Sequence, residues 1–269
     1  MVADSQYQLK SVESALNVLD CFTASTPELR LVDISRTLEI SKVQALRLAR
    51  TLEVHGFLTR DPRTKYYRLG LRLFQLGMLV QQQSELQRIA HPFLQELAAQ
   101  SGETARLMVP DCLGPTCIDL VESPRRYKLF GTMGGPSPWH AGTSTKLLLA
   151  FQPVTKQEEI LAGSLAQYTP HTTTDPDKLR EQLSTIRDQK YHISAGDIEE
   201  HATALAAPIY DWTGEVVAAI SVSGPSSRIE KTGEETVLRW VRAAADDISR
   251  SLGYIQNGEN HLSASIRYQ

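Results

Sequence analysis

Two groups of residues in this sequence have the types and the spacing that binding chemistry needs. The first occupies residues 41–72, where eight Lys/Arg accompany two acids, within a chain of 269 residues and net charge −3. These residues predict a cationic helix followed by a cationic hairpin, which suits a polyanion with grooves, namely duplex DNA. The second group is Ser221 and Ser223, whose spacing on a predicted strand places both hydroxyls on one face, where they can hold a carboxylate or a hydroxyl.

The candidate DNA-binding residues lie on one helix and one hairpin. In a helix-turn-helix, the second helix enters the major groove by its N-terminal residues. Lys42 and Arg47 can reach phosphates or guanine edges, and Gln44 can pair with adenine. Two alternatives stay open: the stretch could be a solvated basic face, and Arg47 could pair with Glu53 or Asp33. The full predicted set is Ser41, Lys42, Gln44, Arg47, Arg50, Arg60, Arg63, Lys65 and Tyr66.

Catalysis has little support in the sequence. The motifs HExxH, GxSxG, P-loop and CxxC are all absent, so neither an enzyme nor a metal or other cofactor is expected. A nucleophile or metal site built from Cys112, Cys117 and His140 is the rival hypothesis, but the spacing does not favour it. The cysteines are expected to be buried free thiols in a reducing cytoplasm. No membrane-spanning run or signal peptide is visible, which predicts a cytoplasmic protein.

The elements that position the basic residues form a small domain. Apolar periodicity predicts a helix capped by Ser11, then a short helix, then a helix from Ser41 to His55 that ends at Gly56. The buried stripe of this last helix is expected to draw on Leu46, Ala49 and Leu52. Two β-prone segments, 57–60 and 66–69, flank a turn. Residues 1–70 are therefore predicted to form a winged helix-turn-helix, and 71–83 a linker helix whose apolar faces pack partly against another subunit.

The rest of the chain predicts a second domain of α+β class with an antiparallel sheet, over residues 84–255, followed by a polar tail at 256–269. Net charge is +3 over residues 1–83 and −6 over 84–269, which favours a nucleic-acid-facing part joined to a part with another role. A helix with a break or kink around Pro92 is expected first. Asp175-Pro176 predicts a helix start, and strands are predicted at 204–210 and 216–223.

The order of these features resembles the IclR family of bacterial transcription regulators, from about Leu9 to Ile255. The resemblance rests on segments spread over both parts of the chain. These are residues 11–19 (SVESALNVL), 52–57 (LEVHGF), 67–70 (YRLG), 120–123 (LVES), 140–141 (HA), 146–150 (KLLLA), 206–209 (AAPI) and 214–225 (GEVVAAISVSGP).

The resemblance implies a dimer, or a dimer of dimers, with a winged helix followed by a GAF-like effector domain. It implies a regulator that binds operator DNA and changes regulation when a small carboxylate or aromatic catabolite occupies the second domain. The alternative is a DNA-binding regulator whose second domain only oligomerises. Three departures stand out: Gln44 replaces a phosphate-touching Thr, Thr145 replaces a Gly before the effector-loop lysine, and Ala204 replaces a Cys found in several relatives.

The expected effector site combines residue chemistry with this resemblance. Residues 141–145 precede a predicted helix, whose free backbone N–H groups attract anions. Ser194 and Asp197 are competing candidates for an acidic or polar pocket group, with surface exposure an equal alternative for Asp197. Trp139 would suit an aromatic effector. The predicted set is Thr143, Ser144, Ser194, Asp197, Ala204, Ser221 and Ser223, with Leu129, Met133 and Trp139 as wall residues.

Overall fold

The structure, a computed structural model, describes residues 9–125 and 133–255. The chain divides into two compact units, Met1–Ser84 and Glu85–Gln269. Within the described ranges, no helix combines the length and the apolar character needed to cross a membrane.

The first unit contains three helices and a hairpin, the arrangement of a winged helix-turn-helix, followed by a fourth helix. Its hairpin is antiparallel, with Leu58 opposite Leu69 and Arg60 opposite Tyr67. The core contains Val18, Ile34 and Tyr67. In chain order the elements are α1 (Lys10–Asp20), α2 (Leu31–Thr37), α3 (Lys42–Val54), β1 (Leu58–Arg60), β2 (Tyr67–Leu69) and α4 (Leu71–Gln83).

The ends of α3 are those predicted. The Ser41 hydroxyl accepts the backbone N–H of Gln44 at 3.2 Å, which caps the helix. Gly56 follows the helix with a φ of +77°, a left-handed conformation that residues with a Cβ rarely adopt. The chain can therefore turn directly from α3 into the hairpin.

Two expectations for this unit are wrong. Helix α1 begins at Lys10 without a side-chain cap, so Ser11 lies inside its first turn. In α3 the buried stripe is Ala45, Ala49 and Leu52, whereas Leu46 is exposed. The small Ala45 allows α3 to pack closely against its neighbours, and Leu46, about 100° further round the helix, then faces outward.

The second unit is built on a five-stranded antiparallel sheet in the order β4-β3-β7-β6-β5. A sheet with helices on both faces buries two separate apolar layers. Its elements are α5 (Glu85–Ser101), β3 (Thr104–Val109), β4 (Thr116–Val121), α6 (Thr143–Ala150), α7 (Val154–Leu161), α8 (Pro176–Gln189), β5 (His192–Ala195), β6 (Ala202–Tyr210), β7 (Val216–Pro225), α9 (Ser226–Thr232) and α10 (Glu234–Ser251).

The two faces of this sheet have different roles. Ile220 and Val222 of β7 lie in a large core that also contains residues of α5 and α10. The opposite face carries Ala219 and Ala206, which pack with leucines of α6 and α8. Because side chains alternate along a strand, Ser221 and Ser223 face this second side, as their spacing predicted.

The remaining helix predictions are confirmed in part. Asp175 caps α8 by accepting the N–H groups of Asp177 and Lys178 at 2.9 and 3.2 Å. Of the break or kink predicted around Pro92, the break is wrong, since α5 continues through this residue. Proline removes one helical hydrogen bond, and burial of Ala90 and Leu94 on either side offsets that loss.

The cysteines do not share one environment. Cys117 is buried and Cys21 is half-buried, but Cys112 is exposed, so the expectation of buried thiols is wrong for Cys112. Burial raises the pKa of the Cys117 thiol, which keeps it protonated and unreactive at neutral pH.

Candidate functional site

The N-terminal half of α3 presents its polar side chains to solvent. Ser41, Lys42, Gln44 and Arg47 are all exposed. Gln44 and Arg47 lie away from the buried stripe of Ala45, Ala49 and Leu52, whereas Ser41 and Lys42 are exposed because they stand at the N-terminal end of the helix. An exposed helix N-terminus carrying cations and an amide has the chemistry that reads a major groove.

Arg47 and Arg50 have different surroundings. The Arg50 guanidinium donates to the Glu53 carboxylate at 2.9 Å. The Asp33 carboxylate accepts the backbone N–H of Arg30 at 3.0 Å. The alternative in which Arg47 pairs with Glu53 or Asp33 is therefore wrong, and over the described ranges its guanidinium has no ion-pair partner.

The hairpin holds its basic residues around an ordered turn. The Asp61 carboxylate accepts the backbone N–H groups of Arg63 and Thr64 at 2.7 and 3.0 Å, and these bonds, that of Thr64 most, lower the pKa of Asp61. Arg60, Arg63 and Lys65 are exposed. The half-buried Tyr66 ring lies 4.7 Å from the guanidinium carbon of Arg30. The hydrogen bonds of Asp61 order the turn, so the exposed cations extend from a defined backbone.

A cavity of about 420 Å³ lies in the second unit, against the sheet face that carries the two serines. Strand register brings its polar residues together: Ser221 is opposite Arg106, and Ala204 is opposite both Ser223 and Ser194. The predicted residues that line the cavity are Thr143, Ser144, Ser194, Asp197, Ala204, Ser221 and Ser223.

The three expected wall residues are placed differently. Trp139 is buried in the apolar core beside α6 and does not line the cavity. Met133 is half exposed and is also absent from the lining. Leu129 lies outside the described residues. Apolar side chains at these positions could serve core or pocket equally, so type alone does not distinguish the two.

The start of α6 forms one wall of the cavity. The Thr143 hydroxyl lies 2.5 Å from that of Ser194, which joins α6 to β5. Gly142 adopts a φ of +98°, in the region that favours glycine. The Thr145 hydroxyl donates to the Ala141 and Gly142 carbonyls. The Thr145 hydroxyl therefore links the first turn of α6 to the loop that precedes it.

A buried ion pair anchors the same loop. One oxygen of Asp197, Oδ2, accepts the Gly142 N–H at 2.7 Å and lies 2.9 Å from Nζ of Lys146. Both side chains are at least 95% buried. The alternative that placed Asp197 at the surface is therefore wrong. Its second oxygen, Oδ1, is buried and has no hydrogen-bond partner in the described part of the chain.

His192 lies close to this ion pair on β5, and its Nε2 is buried without a hydrogen bond to any described residue. Burial and, to a smaller extent, the charge of Lys146 lower the pKa of His192 from 6.5 to about 3. The ring is therefore neutral throughout the physiological range, and only the unfolded chain takes up its proton between these values.

We expect this difference to make the protein less stable in mild acid. Below pH 6.5 the unfolded state gains a proton that the folded state does not, so His192 should lower the free energy of unfolding by about 1.4 kcal/mol per pH unit. Denaturant titrations between pH 6 and 4 should show that His192→Gln reduces this slope. The matched control His201→Gln, at an exposed position, should retain it. Equal slopes in both variants would contradict the assignment.

Arg106 was not among the residues predicted for the cavity. This residue of β3 lines the cavity, and its Nε is buried with no hydrogen-bond partner over residues 9–125 and 133–255. Burial lowers the pKa of its guanidinium. The available signal was a single cation inside an otherwise apolar strand, TARLMV. Met108 and Cys117 also line the cavity and were not predicted, because apolar residues on strands are usually part of the core.

A winged helix with an exposed recognition surface, joined to a unit with a polar-lined cavity, defines a DNA-binding transcriptional regulator. The chain belongs to the IclR family of such regulators. Residues 11–62 match the IclR helix-turn-helix domain, and residues 78–250 match the bacterial transcriptional regulator IclR C-terminal domain. The proteins it resembles are regulators of transcription rather than enzymes.

Individual relatives agree over nearly the whole chain. The HTH-type transcriptional repressor AllR of Escherichia coli (strain K12) is 31% identical over 255 residues, which cover 93% of this chain and 92% of AllR. An IclR transcriptional regulator from Alicyclobacillus acidocaldarius has a TM-score of 0.82 at 26% identity, covering 92% and 100% of the two chains. An IclR homologue from Microbacterium hydrocarbonoxydans, solved in complex with 4-hydroxybenzoate, has a TM-score of 0.77 at 26% identity, covering 90% and 98%.

Proposed function

We propose that this regulator responds to a small organic ligand, a carboxylate or an aromatic catabolite, that binds in the cavity of the second unit and alters operator binding by the first. The observation that carries the proposal is the set of polar atoms facing the cavity. Ser223 is 95% buried, yet its hydroxyl has no hydrogen-bond partner among the described residues, and the same holds for Oδ1 of Asp197. Buried polar groups are nearly always paired, so a bound ligand is the natural partner.

The size and lining of the cavity support the same proposal. About 420 Å³ is within the range of small-molecule sites, which combine apolar walls with a few placed polar groups. Met108 and Ala204 supply apolar surface, while Thr143, Ser221 and Ser223 supply hydroxyls. A relative of the same fold binds 4-hydroxybenzoate, which has a carboxylate, a hydroxyl and an aromatic ring.

We further infer that the regulator acts as a homodimer or a dimer of dimers in the cytoplasm, where operator DNA lies. Helix α4 supports this, because Leu71, Phe74 and Val80 are each more than 60% exposed. Exposed apolar side chains on one helix mark a surface that another molecule covers. Two copies of a helix-turn-helix read two half-sites, which links dimerisation to operator recognition.

Removing both serine hydroxyls tests the ligand site. Ser221→Ala with Ser223→Ala should weaken ligand binding about tenfold or more, because each lost hydrogen bond contributes about 0.5–1.5 kcal/mol. Operator affinity without ligand should stay within about twofold of wild type. Fluorescence anisotropy of a labelled operator DNA fragment measures the operator affinity. Repeating the titration with 4-hydroxybenzoate, and then with other small carboxylates and aromatics, measures the response to ligand.

The matched control is Ser227→Ala, which removes an exposed hydroxyl from α9. It should leave both operator affinity and ligand response unchanged. A double variant at Ser221 and Ser223 that responds to ligand as strongly as wild type would remove these serines from the site. A panel in which no ligand changes operator affinity would instead favour a second unit that only oligomerises.

A further inference from the structure

The cavity contains one basic side chain among its described lining residues, Arg106. It stands on β3 directly opposite Ser221 of β7, and residues opposite one another in an antiparallel pair share a face of the sheet. Ser223 is two residues further along β7, on the same face. The guanidinium and two hydroxyls therefore project into one cavity from adjacent strands.

Arg106 differs from other arginines of the same unit in its lack of a partner. The Arg228 guanidinium donates two hydrogen bonds to the Glu103 carboxylate, both at 2.5 Å. The Arg180 guanidinium donates two to the Glu158 carboxylate, both at 2.9 Å. Arg106 makes no hydrogen bond or ion pair within the described ranges, although its Nε is buried. Arg106 as a residue is half-buried, and a desolvated Nε without an acceptor destabilises the ligand-free protein, so a partner from outside the chain is expected.

The other charges near the cavity define the charge of that partner. The Asp197 carboxylate is already paired with Lys146. Glu199 lines the cavity from an exposed position and acts on Arg106 through its charge without hydrogen bonding to it. Among these four charged groups, Arg106 is thus the cation whose donors have no hydrogen-bonded acceptor in the described ranges. A singly charged carboxylate matches it, whereas a phosphate monoester, with nearly two negative charges, would be repelled by Glu199.

We propose that Arg106 is the specificity-determining residue of the pocket: its guanidinium binds the carboxylate of the ligand, which selects monocarboxylates over their neutral analogues. Arginine presents paired N–H donors that match both oxygens of a carboxylate. This inference rests on the proposed ligand-responsive function and narrows its ligand class. The hydroxyls of Ser221 and Ser223, on the adjacent strand, complete the polar end of the site.

The first test compares acids with their amides, which have nearly the same shape but no charge. Thermal shift and calorimetry on the full chain would use benzoate, 4-hydroxybenzoate and acetate, their three amides, and inorganic phosphate. We expect at least one carboxylate to raise the Tm, and neither its amide nor phosphate to do so. Arg106→Gln should weaken binding of that carboxylate at least tenfold. Arg106→Lys, which retains the charge without the paired donors, should have an affinity between those of wild type and Arg106→Gln.

The ligand-free proteins give a second readout that a structural role would move the other way. If Arg106 serves the ligand, Arg106→Gln should have a Tm equal to or a few degrees above wild type, because a half-buried cation without a hydrogen-bond partner in the described ranges is removed. If Arg106 instead supports the fold, the Tm should fall and the affinity for the carboxylate should stay unchanged. That pair of results would overturn the inference.

Glu199→Gln is the complementary variant, because it removes a negative charge that lines the cavity and acts on Arg106. Affinity for the carboxylate should rise about two- to fivefold, and affinity for the amide should not change. Amides that bind as tightly as acids, or carboxylates that bind wild type and Arg106→Gln equally, or no carboxylate that binds, would contradict the role of Arg106. A ligand that binds through Arg106 but leaves operator affinity unchanged would overturn only the proposed function.

Discussion

Replacing Arg47 with alanine is expected to weaken operator binding about 100-fold at physiological salt, which is effectively a loss of specific binding. Arg47 is exposed on α3 and, within the described residues, has no acidic partner, so its guanidinium can reach a guanine edge or a phosphate. A bidentate contact with a guanine is worth about 1–3 kcal/mol. Removing the positive charge also weakens the attraction to nearby phosphates, which adds to that cost. Anisotropy titration of a labelled upstream fragment measures the change.

Two variants serve as controls for Arg47→Ala. Arg50→Ala removes a guanidinium already paired with Glu53 and should cost less affinity. Arg239→Ala removes an exposed arginine of α10 in the other unit and should cost none. All three should retain the wild-type circular dichroism spectrum and oligomeric state. Operator affinity of Arg47→Ala within twofold of wild type would contradict the assignment of α3 as the recognition helix.

Replacing Asp197 with alanine is expected to destabilise the second unit by about 3–5 kcal/mol. The substitution leaves the Lys146 ammonium buried without its countercharge, and it also removes the acceptor of the Gly142 N–H. Breaking one side of a buried pair is costly because the remaining charge stays desolvated. Denaturant unfolding monitored by tryptophan fluorescence would report the loss as a lower midpoint with an unchanged slope.

A double variant that removes both charges distinguishes the effect of the ion pair from that of side-chain packing. Asp197→Leu combined with Lys146→Met should recover most of the stability that Asp197→Ala loses, because no charge remains buried. The exposed pair Lys156–Glu159 provides the matched control, and Glu159→Ala should change stability by less than about 0.5 kcal/mol. A loss below about 1 kcal/mol for Asp197→Ala would mean that solvent reaches Lys146.

Local patterns were sufficient to predict the architecture. Ser41 and Gly56 fix the two ends of α3 by their own hydrogen bonding and conformational preferences, and Asp175 with Pro176 does the same for α8. Alternation along β7 predicted that the two serines would share one face of the sheet. Each of these signals depends on residues close together in the sequence, which is why it could be found there.

The parts of the site that were missed depend on contacts distant in sequence. Arg106 lies beside Ser221 through strand register, and the residues that follow it in the chain do not indicate a cavity. Trp139 was expected in the pocket wall, but core packing holds it elsewhere. Leu46 was predicted to be buried where Ala45 is, because a helical period alone does not fix which of two adjacent apolar residues faces inward.

The departures from the family pattern now have specific locations. Gln44 and its neighbour Val43 are exposed in the first turn of α3, where we expect operator preference to differ from that of relatives. Thr145 ties the loop to α6, and Ala204 lines the cavity without a polar side chain. The first pair concerns the choice of DNA site, and the second pair concerns the shape of the ligand site.

The central claim is that ligand in the second unit and operator on the first unit influence each other. Calorimetric titration of a carboxylate that binds the pocket, into free protein and into protein saturated with operator DNA, tests this most directly. Thermodynamic linkage requires the ligand affinities to differ by the same factor by which ligand changes operator affinity, about 5- to 150-fold for a typical coupling. We predict unequal affinities related by that factor. Identical ligand affinity with and without operator would contradict the account.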